Sequence, residues 1–105
     1  MSEVIMSEEK KRFDEAVVHC HKTFNEPEHK QEMSDLSPRF WVALLDLKLA
    51  CESADWDELA ATFQASYRQL GSPGDFGYGT PCGAALNNVY KRWGELCRSR
   101  KPQPA

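Results

Sequence analysis

SPRFWVALLDLKLAC, residues 37–51, decides the fold. Ser37 can cap a helix, and Pro38 fits the first helical position, where its missing N–H is not needed. From Phe40 to Cys51 ten of twelve positions are apolar, interrupted only by Asp46 and Lys48. A helix apolar nearly all round has to be covered on more than one side. In a chain of 105 residues the rest of one small domain must supply that cover, and a chain of this size buries about 65% of its unfolded surface. The segment is therefore expected either to be buried wholly within the fold or, if three other helices cannot cover it, to leave part of its surface to an oligomer or partner.

Three more helices are expected around it. Residues 7–24 carry Phe13, Ala16, Val17, Cys20 and Phe24 at spacings of three and four, one apolar stripe. Ser7 is the expected cap, and Glu8 and Glu9 suit the positive helix end. Asn25 and Pro27 stop it. Residues 25–36 are polar and broken by proline, a connector with at most a short helical turn. A third segment opens on Asp55-Trp56-Asp57-Glu58, a variant of the capping box. Its stripe is Trp56, Leu59, Ala60, Phe63, Tyr67 and Leu70, and Gly71 is the expected stop. The fourth starts at Thr80-Pro81 and places Cys82, Ala85, Leu86, Val89, Trp93, Leu96 and Cys97 on one face as far as Arg100. Nothing alternates with period two. The expected fold is all-α: a small bundle of four main helices, one domain over residues 7–100, with flexible ends at 1–6 and 101–105.

The net charge of −3 gives no general pull toward nucleic acid. Residues 1–60 hold 14 acids and 7 bases, residues 61–105 hold 2 acids and 6 bases, so the chain runs from −7 to +4. Complementarity within one fold is the expected reason for that split, the alternative being a basic partner for the first part or an acidic one for the tail. FWVALL is too short to span a bilayer, and MSEVIMSEEKKR lacks the basic start and apolar run of a signal peptide. A cytoplasmic location is expected, with no membrane partner.

No catalytic constellation stands out. In His19-Cys20-His21 the two histidines lie two residues apart, so on a helix they point about 200° away from each other, and no metal site is expected. The cysteines at 20, 51, 82 and 97 form no CxxC pair. Cys20, Cys51 and Cys97 sit on apolar stripes as small hydrophobes. Cys82 falls at a helix N-terminus, where a thiol pKa can drop, but no base is tied to it in sequence. A thiol-dependent enzyme using Cys82 is the minor alternative, and no cofactor is expected.

GSPGDFGYGTPCGAAL, residues 71–86, holds five of the six glycines. It lacks the lysine of a phosphate-binding loop, and a helix, not a strand, precedes it. It is instead a long interhelical loop that carries Phe76 and Tyr78 between glycines, either folded over the bundle end or offered to a partner. The loop is too long for a helix-turn-helix, so direct nucleic acid binding is not expected.

With these exclusions the chain fits a protein that acts by binding another protein. Antitoxin-like, phage-borne and other small inhibitors or adaptors share its size. SPRFWVALLDLKLACESADWDELAATF and GSPGDFGYGTPCGAALNNVYKRWGELCRS resemble the QslA-type quorum-sensing antiactivators of Pseudomonas. That resemblance spans nearly the whole chain and implies a non-enzymatic helical homodimer. It also implies binding to the ligand-binding domain of LasR, a LuxR-type transcription factor, so that dimerisation or DNA binding is blocked. No motif carries binding residues across. The residues themselves nominate Phe40, Trp41, Leu44 and Leu45 as anchors for a partner or second copy, because burying one large apolar side chain yields about 1.5–3 kcal/mol. Phe76 and Tyr78 are the second choice.

Overall fold

A computed structural model describes residues 8–52 and 55–99 of the chain. Five α-helices follow one another: α1 Glu8–Asn25, α2 Pro27–Glu32, α3 Pro38–Ala50, α4 Trp56–Leu70 and α5 Pro81–Ser99, with a single 3-10 turn at Pro73–Phe76 before the last. None of the described residues forms a strand. Four helices are long, as the stripes predict. The expected cap at Ser7, the end at Arg100 and the two flexible ends lie outside the described residues.

The starts form where the capping side chains stand. Ser37 Oγ accepts from the Arg39 backbone N–H at 3.2 Å. Asp55 Oδ1 accepts from the N–H groups of Asp57 and Glu58 at 2.9 and 3.4 Å. Thr80 Oγ1 accepts from the Gly83 N–H at 3.1 Å and opens α5. These bonds satisfy donors that have no partner inside their own helix. At the other end of α4, Gly71 takes φ +76°, which a side chain would resist. The connector contains a real helix, α2, but it buries no residue. Pro27 begins it and no apolar stripe follows, so the proline and not core burial marks its start.

The long helices pair antiparallel. α1 lies along α5, with Phe13 against Trp93 at 5.2 Å between ring centres. α3 returns along α1, with Phe40 against Phe24 at 5.0 Å. Lys10 on α1 is buried, makes an ion pair with Asp14 at 2.7 Å, and donates to the carbonyl of Cys51 at 3.0 Å. A lysine from one helix thus caps the C-terminus of another, where the helix dipole favours positive charge. α4 meets α5 through rings. Phe63 stacks on Trp93 at 4.1 Å, Trp56 stacks on Trp93 at 5.3 Å, and Tyr90 donates to the Gly71 carbonyl at 2.6 Å. All four long helices feed one core, with Phe13, Phe24, Leu44, Leu47, Leu59, Leu70, Leu86 and Leu96 fully buried in it.

Candidate protein-binding face

α3 is the helix that the sequence marks as apolar all round, and the fold divides it into two faces. Phe40, Ala43, Leu44, Leu47 and Ala50 turn inward. Val42, Leu45 and Leu49 lie at positions i, i+3 and i+7 on the opposite side, and they are 58%, 43% and 51% exposed. Spacings of three, four and seven place side chains on one helical face, so these three make a single outward stripe. It borders α4, whose Ala61 and Ala65 are also exposed.

Two of the four nominated anchors on this helix must be corrected. Phe40 is 3% exposed and Leu44 is 1% exposed. Phe40 is held by Phe24 and Phe76, and Leu44 belongs to the central cluster, so neither can reach a partner unless the core opens. Trp41 is half-buried, edge-on to Phe24 and Phe40, with the Lys30 ammonium 5.7 Å above its ring. A cation over an indole face is itself a favourable contact, so α2 covers part of that ring. Leu45 alone of the four stands clear. Val42 and Leu49 complete its stripe. Both lie in the quoted apolar run, and the signal for them was present: they share a face with Leu45, on the far side from the fuller six-residue stripe ending at Cys51.

The glycine-rich loop divides in the same way. Ser72 and Asp75 form a reciprocal capping box around the 3-10 turn. Phe76 leans inward on Phe24 and Phe40 at 5.2 and 5.6 Å, whereas Tyr78 is 63% exposed. Phe76 therefore closes the bundle end and only Tyr78 remains available on the surface.

The cysteines and histidines are placed as follows. Cys82 is 1% exposed, and burial, with Glu32 and Glu26 nearby, pushes its thiol up, opposite to what a helix N-terminus would do to an open thiol. Burial also pushes Cys20 up to about 12 and Cys51 up further, Asp14 adding to the second. Such thiols are poor nucleophiles at neutral pH. His19 and His29 both meet Thr23. His29 Nδ1 lies 2.9 Å from the Thr23 carbonyl, which makes that nitrogen the donor, and His19 Nε2 lies 3.4 Å from the Thr23 hydroxyl. No group of three or more His, Cys, Asp or Glu among the described residues is arranged to hold a metal ion. No described helix is long and apolar enough to cross a membrane.

No family model, curated protein or solved structure matches the chain.

These thiols set a pH dependence. Their folded pKa values lie above the unfolded value of 9.0, so the stability they contribute is complete below about pH 9 and is lost as pH climbs toward the folded values. His21 is shifted the other way, lowered from 6.5 by partial burial and by Lys48. Its contribution is complete above pH 6.5 and is lost as pH falls. A plateau of melting temperature between about pH 7 and 8.5 is expected, falling on both sides. Iodoacetamide at pH 8 should label Cys82 at least tenfold more slowly in the folded chain than in urea. Equal rates would show the thiol to be open.

Proposed function

We propose that this chain is a non-enzymatic inhibitor that binds another protein through the outer face of α3. Val42, Leu45 and Leu49 carry the proposal. Three large apolar side chains in one exposed stripe leave apolar area in water that a partner would cover. An apolar stripe at such spacing is how one face of a helix seats against another protein. The identity of the target comes from the resemblance to QslA-type antiactivators: a LuxR-type regulator, with LasR as the specific case, bound at its ligand-binding domain so that the receptor cannot dimerise or hold DNA. Such a target places the action in the cytoplasm. Covering an apolar surface suits the task, because a transcription factor that works as a dimer is silenced when its dimer surface is occupied.

The test is co-elution of the purified chain with the LasR ligand-binding domain on size exclusion, followed by titration calorimetry. The wild-type chain is expected to form a complex. Leu45→Asp is expected to weaken it by 10-fold to 100-fold, the loss of about 1.5–3 kcal/mol from one buried leucine. Absence of a complex removes LasR as the target. A complex indifferent to Leu45→Asp removes the α3 face. The companion proposal is a homodimer, for which light scattering should return twice the 12.0 kDa chain mass. A value of one chain mass ends it.

A further inference from the structure

We infer that the groove between α3 and α4 receives one amphipathic α-helix of the partner, with basic side chains set against Asp46 and Glu58. This rests on the protein-binding proposal above for the existence of a partner, but not for its identity. The groove runs along the two antiparallel helices. Val42, Asp46 and Leu49 line it from α3, and Ala61, Ala65 and Ser66 line it from α4. Asp46, Ala65 and Ser66 belong to both halves, so it is one continuous channel.

Three observations select the occupant. The first is the floor. Small side chains on α4 let a third backbone come close, and the leucine and valine on α3 offer sides against which leucines of an incoming helix can pack. From Arg39 to Ala50 the channel rises about 16 Å, the length of about three helical turns. The second is the backbone. Both walls are helices whose N–H and C=O groups are already paired, so no open edge exists for an added strand. The third is charge. Asp46 stands mid-groove, Glu58 lines the end beside Leu49, and Arg39 lines the opposite end. An occupant with lysine or arginine facing the first two and an acid or a carbonyl terminus facing Arg39 is complementary along its length. A second copy laid over the groove by a two-fold axis through its middle would bring Asp46 against Asp46, like charge on like. The groove therefore favours a foreign helix over self-association.

The probe is a fluorescein-labelled, stapled three-turn peptide with leucines at i, i+3 and i+7 and flanking lysines. A matched peptide carries glutamates in place of the lysines. Fluorescence anisotropy at low salt should show the lysine peptide binding at least tenfold more tightly. Amide NMR shifts should fall on residues 42–50 and 61–66. The double reversal Asp46→Lys with Glu58→Lys should invert the preference. Both side chains are exposed, so the fold should survive, and circular dichroism checks it. Ala65→Trp, also at an exposed position, should block both peptides. Equal binding of the two peptides, shifts elsewhere on the chain, or no inversion on charge reversal overturns the inference. A LasR complex unaffected by Ala65→Trp overturns it while leaving the proposed target standing. Charge-selected peptide binding without a LasR complex supports the groove and removes the target.

Discussion

Leu44→Asp should unfold this protein, whereas Leu45→Asp, one residue away, should leave it folded. Leu44 is 1% exposed and Leu45 is 43% exposed. Truncating a buried leucine costs about 2–5 kcal/mol through lost burial and a cavity. A carboxylate put in its place has no hydrogen-bonding partner among apolar neighbours and adds several kcal/mol more. Domains of this size are stable by about 5–15 kcal/mol in total, so the sum consumes most or all of it. At position 45 the carboxylate stays in water and the change stays within about 1 kcal/mol. Far-UV circular dichroism with thermal melting distinguishes the two. The helical signal at 25 °C should be largely lost for Leu44→Asp and retained for Leu45→Asp. A cooperative, wild-type-like melt for Leu44→Asp would place α3 the other way round in the bundle.

Gly83→Ala should be strongly destabilising even though it removes a glycine from a helix. Alanine inside a helix is ordinarily better than glycine by about 0.5–1 kcal/mol. Here a Cβ would run into the backbone carbonyl of Gly77, which crosses directly over α5. That carbonyl cannot swing aside. It accepts from the Thr80 N–H at 3.1 Å and lies 2.8 Å from the Thr80 hydroxyl, whose one proton it shares with the Phe76 carbonyl at 2.7 Å, and Thr80 in turn caps α5. Gly77 itself sits at φ +84°. The clash therefore displaces the loop and frays the helix start, at a cost of about 3 kcal/mol or more. Gly94→Ala is the matched control. Its Cβ would meet only the mobile end of Arg98 at 3.4 Å, so the ordinary helix preference should win. Melting temperature should fall by more than about 10 °C for the first and rise by a few degrees for the second. Equal effects would mean that the loop does not pack on α5.

The element boundaries were legible because each is written in a few local residues. Ser37-Pro38, Asp55, Gly71 and Thr80-Pro81 mark starts and stops through hydrogen bonds that span at most four positions. The helix at Pro27–Glu32 was only half legible, because it buries nothing and leaves no stripe. The 3-10 turn has only a weak mark in sequence, Ser72 and Asp75 three apart as a capping box requires. The roles of the site residues were less legible. In sequence Phe40 and Leu44 read as contact residues because they are large and apolar on an over-apolar helix. Leu45 reads the same way, and it is the one that faces out. The inward lean of Phe76 depends on Phe24, some fifty positions away, and no local pattern reports it.

By itself the sequence determined that the chain is helical, that helices start at Ser37-Pro38, Asp55 and Thr80-Pro81 and that one stops at Gly71, and that the segment at 37–51 carries more apolar surface than one face can use. These follow from capping chemistry and from the helical period, which act between near neighbours. Only the tertiary structure decided which side of that helix is spent on the core. Phe24, Phe76 and the central leucines fill one side, and the pairing with α4 leaves Val42, Leu45 and Leu49 on the other. Both sides are apolar, so periodicity cannot rank them. The choice is made by the volume and shape of residues distant in sequence, packed to a density that admits one arrangement.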